Sequence, residues 1–126
     1  MSEHTSRPHV VLVVDDEVLL RLNASEVLQD AGCTTYEAGA TAEALRVLQD
    51  HPDITVLFTD INMPGDRDGM ALAQAVHRER PDVRLIITSG REQPAPADIP
   101  DDGQFIGKPY DLEALAAIIC ALPVEA

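Results

Sequence analysis

Short aliphatic and β-branched runs recur along this chain, each followed by a longer segment in which apolar residues repeat at helical spacing. The first run, residues 9–14, reads His-Val-Val-Leu-Val-Val. It is too short for a helix and shows no polar alternation, the pattern of a strand buried on both faces. Comparable runs occupy 33–38, 54–59, 83–88 and 104–107. Segments 17–30, 41–50, 70–79 and 111–121 carry helical periodicity. Strand alternating with helix through five strands predicts a parallel sheet covered on both faces, with right-handed crossovers.

Local signals bound these segments. In the first helix Val18, Leu19, Leu22, Ala24, Val27, Leu28 and Ala31 form the expected apolar stripe. Acidic residues in its first turn suit the helix dipole, and Gly32 is placed to end it in a left-handed conformation. Thr41 is the expected N-cap of the second helix, with Glu43 in the first turn. In the third, Leu72, Ala73 and Val76 should face inward. Asp111 is the expected N-cap of the last. Residues 91–103 break the rhythm with Pro94, Pro96 and Pro100. A proline inside a helix costs about 3 kcal/mol, so an irregular loop with at most one helical turn is expected there.

At 126 residues the chain is expected to be one domain. Residues 1–8 read as a flexible N-terminus, 9–122 as the domain and 123–126 as a short tail. With two Phe, two Tyr and no Trp, its core must be aliphatic. Nine basic against 22 acidic residues give a net charge of −13 and no basic face, which excludes direct nucleic-acid binding. No apolar run approaches the ~18 residues of a membrane span, and no signal segment is visible, so no membrane association and a cytoplasmic location are expected. Cys33 and Cys120 fit no zinc spacing and read as small buried hydrophobes with free thiols. His4, His9, His51 and His77 are scattered and pair with no Cys or Ser. Phosphate-binding glycine loops and nucleophile elbows are absent.

In an open α/β sheet, ligands bind beyond the carboxyl ends of the strands. The first strand ends in Asp15 and Asp16, the third in Asp60, the fourth in Thr88 and the fifth in Lys108. Each alone is ordinary. Asp15-Asp16-Glu17 could merely start a helix, Asp60 could belong to a turn, Thr88 could cap a strand and Lys108 could be a solvated charge. Together they bring three carboxylates, a hydroxyl and an ammonium to one edge. Crowded carboxylates repel or take up protons unless a cation joins them. Oxygen-only ligands select a hard ion, Mg²⁺ before Zn²⁺. A carboxylate can also act as a nucleophile towards phosphorus, and phosphoryl transfer then requires positioning and charge neutralisation. Asp60 is the expected phosphoryl acceptor, with Thr88 and Lys108 meeting phosphoryl oxygens.

Four stretches resemble the receiver domain of bacterial two-component response regulators. They are 11–17, Val-Leu-Val-Val-Asp-Asp-Glu; 59–64, Thr-Asp-Ile-Asn-Met-Pro, with Asp68-Gly69; 86–90, Ile-Ile-Thr-Ser-Gly; and 105–110, Phe-Ile-Gly-Lys-Pro-Tyr. The resemblance spans residues 9–121. It implies a flavodoxin-like three-layer sandwich with strand order 2-1-3-4-5. It further implies that Asp60 takes its phosphoryl group from a histidine kinase or histidine phosphotransferase. Mg²⁺ would be held by Asp16, Asp60 and the backbone carbonyl of Asn62, with Asp15 acting partly through water. Thr88 would follow the phosphoryl group, Phe105 would turn inward as the switch aromatic, and Lys108 would pair with Asp60.

Two departures from the family pattern stand out. The loop from Met63 to Gly69 is one residue longer and lacks a second Met. The proline-rich stretch 91–103 replaces the usual fourth helix, which is expected to be degenerate or missing, and with it the usual dimerisation surface, leaving room for a weak homodimer. The expected function is a stand-alone, phosphorylation-controlled switch acting on an unidentified downstream protein by contact or phosphoryl relay. It would promote its own phosphorylation and dephosphorylation without being an enzyme on external substrates. The alternatives are a receiver segment of a hybrid histidine kinase and a small Mg²⁺-dependent aspartyl-phosphate phosphatase. The latter wants a second Asp where Asn62 stands.

Overall fold

The computed structural model describes residues 9–61, 69–90, 99 and 103–123. Expectations for Asn62 and the loop after it, for 91–103 apart from Ile99 and Gly103, and for the terminal residues 1–8 and 124–126 lie outside them.

The strands are β1 Val10–Val14, β2 Thr34–Ala38, β3 Val56–Asp60, β4 Arg84–Ser89 and β5 Gln104–Gly107. The helices are α1 Val18–Asp30, α2 Thr41–Asp50, α3 Gly69–Glu79 and α4 Leu112–Ala121. All pairings are parallel and the strand order is β2-β1-β3-β4-β5, as expected. Since successive side chains in a strand point to opposite faces, each central strand feeds two cores. Leu12, Val14, Leu57, Leu85 and Ile87 pack with Ala44 and Leu48 of α2 and with Leu72, Ala73 and Val76 of α3. Val11, Val13, Val56, Phe58 and Ile86 pack with Ala24 and Leu28 of α1 and with Leu115, Ala116 and Ile119 of α4. The three layers follow directly. Strands without polar alternation sit in the middle because both of their faces are covered.

Several local expectations hold. Gly32, after α1, has φ +99°, a conformation open to glycine at no steric cost. The Asp111 side chain accepts from the Glu113 N–H and caps α4. The guanidinium of Arg80 donates to the carbonyls of Leu48, Pro52 and Ile54, tying the end of α2 to the entry into β3.

Other expectations need correction. The apolar stripe on α1 was drawn too wide. Ala24 and Leu28 are buried, but Val18, Leu19 and Leu22 are exposed, Leu19 at 76%. At 3.6 residues per turn, Leu19 and Leu22 lie roughly 140–160° around the helix from Ala24. The first turn of α1 holds no acidic residue, because Glu17 is its N-cap and Asp15 and Asp16 precede it. The N-cap of α2 is Ala40 and not Thr41. Glu43 reaches back to accept from the Gly39 N–H at 2.9 Å, and Thr41 takes the first helical position. Cys120 is exposed and not buried, being turned about 100° from the inward-facing Ile119. His9 makes contacts that no local signal announces. It is buried, with Nδ1 2.8 Å from Thr55 Oγ1 and Nε2 2.9 Å from the Leu122 carbonyl oxygen, joining both ends of the chain to the start of the sheet.

Candidate functional site

The parallel register delivers the polar groups to one edge. Asp15 directly follows β1, and Asp60 is the last residue of β3, paired with Thr88 of β4. Ser89 pairs with Gly107, which places Lys108 just beyond β5. Main-chain bonds hold this edge together. The Asp15 N–H donates to the Ala38 carbonyl, the Ile61 N–H to Thr88 and the Lys108 N–H to Ser89.

Lys108 is the electrostatic centre. Its Nζ lies 2.8 Å from Asp60 Oδ2, 2.9 Å from Glu17 Oε1 and 3.1 Å from Asp15 Oδ2. The Asp15 and Asp60 side chains are buried, whereas Glu17 is 62% exposed, so the first two contacts act through a lower dielectric. Burial alone would favour the neutral amine. Hydrogen bonds to Asp60, Glu17 and Asp15 outweigh it and hold the lysine above its ordinary pKa. Asp15 moves the other way from most paired carboxylates. Burial raises its pKa, and the Asp60 charge adds to this. The Glu17 N–H, at 2.9 Å from Oδ1, and Lys108 offset only part of the rise.

Three carboxylates thus surround one ammonium, and a fourth, Asp16, lies beside two of them. Asp15, Asp16 and Asp60 each offer an oxygen within 4.8 Å of the others, and Asp16 is exposed to solvent. An all-oxygen set with one face open to water fits a hard divalent ion that keeps part of its hydration shell. Thr88 Oγ1 gives a second indication. It is buried and has no hydrogen-bond partner among the described residues, a situation that costs about 1–3 kcal/mol. Phe105 is half-buried on β5 beside Ile87 and packs on the α2/α3 side of the sheet.

The sequence reading placed Asp15, Asp16, Asp60, Thr88 and Lys108 at this edge, and the structure brings them together. It left out four neighbours. Glu17 was visible as a third consecutive carboxylate, but its reach to Lys108 was not. Arg21 of α1 carried no signal of its own; its Nη1 donates to the Asp15 carbonyl at 2.8 Å while Nε pairs with Glu37 at 3.1 Å, fixing the backbone of Asp15. Gly69 opens α3 against the end of β3, where a Cβ would collide with the Asp60 carbonyl oxygen and crowd Thr59 Oγ1. A glycine at the start of a helix, where its flexibility is unfavourable, was the available signal. Tyr110 meets Phe58 edge-on at 5.4 Å, and burial, then the negative charge of Asp15, pushes its phenol up to about 12.

A doubly wound parallel sheet with an acidic cluster, a lysine and a threonine at its carboxyl edge defines a narrow class of α/β domain. The family model of the response regulator receiver domain matches residues 11–120, and the chain belongs to that family. The chain is 32% identical over 113 residues to the sensor kinase CckA of Brucella abortus, covering 86% of this chain and 12% of that protein. A receiver domain from Clostridium thermocellum superposes with a TM-score of 0.80 at 25% identity, covering 88% of this chain and 90% of that one. The chemotaxis protein CheY4 of Vibrio cholerae gives 0.77 at 26% identity, with 89% and 96% covered. The chain spans between 12% and 55% of the length of curated relatives such as CckA, ArcA of Escherichia coli and PdtaR of Mycobacterium tuberculosis. Among the described residues, no helix is long and apolar enough to cross a membrane.

Proposed function

We propose that residues 9–122 form a phosphorylation-controlled switch in which Asp60 accepts a phosphoryl group from the phosphohistidine of a histidine kinase or histidine phosphotransferase. The observation that carries this reading is the Lys108 ammonium bridging Asp60 and Asp15, beside a buried Thr88 hydroxyl with no partner among the described residues. An Asp60 carboxylate oxygen attacks phosphorus, the P–N bond breaks, and the imidazole leaves with the electron pair. Lys108 stays protonated and moves its hydrogen bond towards a phosphoryl oxygen. The Thr88 hydroxyl gains an acceptor, and Phe105 follows into the space that Thr88 leaves.

Mg²⁺ fits the donor set and would be held by Asp15, Asp16, Asp60 and the Asn62 carbonyl. When bound, it neutralises negative charge on the phosphoryl oxygens. Output is by protein contact or phosphoryl relay in the cytoplasm, with the domain acting on itself and not on an external substrate. The test is labelling by acetyl phosphate. Stoichiometric label is expected with Mg²⁺, and none with a chelator or in Asp60→Asn. Full labelling of Asp60→Asn would sink the assignment. The identity to CckA supports a second reading, a receiver segment of a hybrid kinase. A kinase reading frame continuous with this one would decide for it.

A further inference from the structure

Asp15 and Asp16 lie between β1 and α1, outside both elements, so the peptide that joins them needs partners of its own. The Asp15 N–H donates to the Ala38 carbonyl at 3.1 Å, and the Asp15 carbonyl accepts from Arg21 Nη1 at 2.8 Å. Arg21 is itself anchored, since its Nε donates to Glu37 Oε1 at 3.1 Å and Glu37 precedes Ala38 in β2. Asp15, Ala38, Glu37 and Arg21 therefore close a ring that ties the joining peptide to the end of an edge strand. The Arg21 side chain is only 18% exposed, and Gly39 leaves room for it, because a Cβ there would stand 3.1 Å from Nη1.

The two aspartates depend on this peptide unequally. The Asp15 carboxylate is also held by the Glu17 N–H at Oδ1 and by Lys108 at Oδ2. Asp16 is exposed, and its side chain has no partner among the described residues, so the backbone before it is what aims it.

We propose that Arg21 is a positioning residue for the acidic edge, setting Asp15 and Asp16 for a divalent ion that it does not touch. The proposal rests on the reading of that edge as a Mg²⁺ site. The planar guanidinium suits the role, because one rigid fork reaches the Asp15 carbonyl and the Glu37 carboxylate together, which a lysine ammonium does not reproduce. Charge and positioning predict opposite signs here. By charge alone a guanidinium on the Asp15 backbone repels a cation, so its removal would tighten binding. If the ring aims the ligands, its removal loosens binding. Groups that orient metal ligands typically change affinity 10- to 100-fold when removed. Arg21 acts through the backbone, so the expected loss is at the low end, about tenfold.

The test measures binding of Mn²⁺, which takes the same oxygen ligands as Mg²⁺, to the full chain at neutral pH. The resonance signal of the free ion reads the affinity, Mg²⁺ serves as competitor, and Tm is recorded without ions. The native chain should bind one Mn²⁺ that Mg²⁺ displaces. Arg21→Gln should weaken binding by about tenfold. Arg21→Lys, which keeps the charge and loses the fork, should weaken it too, and decides alone if Arg21→Gln does not fold. Tighter binding in Arg21→Gln, native affinity in Arg21→Lys, or a lowered Tm with affinity unchanged would each overturn the proposal. A native chain that binds no Mn²⁺ would instead overturn the Mg²⁺ reading beneath it.

Discussion

Replacing Lys108 with methionine tests how the acidic edge is held together. Methionine keeps most of the apolar stem of the side chain and removes the ammonium, with its charge and its hydrogen-bond donors. Removing one partner of a buried ion pair typically costs about 3–5 kcal/mol, because the other charge is left unpaired. Two of the three contacts of Lys108, to Asp15 and Asp60, involve buried carboxylates. The third, to the exposed Glu17, contributes less than about 1 kcal/mol. Asp16 opens the cluster to water, which places the expected loss near the low end, about 3 kcal/mol at neutral pH without divalent ions. For a chain of this size that corresponds to a fall in Tm of roughly 10 °C.

The pH dependence carries the sharper test. In the native protein Lys108 is raised, so its contribution is complete below the unfolded lysine pKa and is lost only as pH rises through the folded value. In the variant, Asp15 is raised by burial and has lost the ammonium that opposed the rise. A raised carboxyl favours the folded state when protonated, so the penalty is full at neutrality and fades as pH falls towards about 4. Urea unfolding followed by circular dichroism should show the gap between the two proteins narrowing on acidification, and narrowing again with added Mg²⁺ at neutral pH. Equal midpoints at neutrality, or a gap that does not change with pH, would refute the reasoning.

Three further predictions rest on single residues. Thr88→Val removes a buried hydroxyl without a partner among the described residues and should raise stability by about 1 kcal/mol in the unphosphorylated protein, read as a higher urea midpoint; a clear loss would show that the hydroxyl is already paired. Gly69→Ala should cost roughly 2–3 kcal/mol, because the new methyl overlaps the Asp60 carbonyl and α3 must shift. Gly32→Ala, strained by φ alone with open space around it, should cost about 1 kcal/mol, and thermal melts of the two side by side separate crowding from strain. Tyr110 should titrate near 12, and Tyr110→Phe should remove this late step in tyrosinate absorbance. Its raised pKa favours the folded state up to about pH 10, and that contribution is lost as pH rises towards the folded value.

The alternation of apolar runs and helical stripes determined the layered parallel fold, because a strand without polar alternation must be covered on both faces. That Asp15, Asp60, Thr88 and Lys108 share one edge was legible for a related reason. In a parallel sheet every carboxyl end faces the same edge, so position at a strand's end predicts location without knowledge of contacts. Local chemistry near element ends was also legible, as at Gly32 and Asp111.

What the sequence could not determine depends on distances between segments remote in the chain. The reach of Lys108 to Glu17, of Arg21 to the Asp15 carbonyl and of His9 to Leu122 exists only once the sheet has set the helices over it. The same holds for Gly69, which is required by the Asp60 carbonyl opposite it and by nothing in its own helix. Leu19 and Cys33 make the final contrast. Hydrophobicity suggested that both lie inside, yet helix phase turns Leu19 to solvent, while the packing of α1 and α4 over the sheet leaves Cys33 buried. Composition and periodicity are properties of neighbours along the chain, whereas these contacts are made by the tertiary packing.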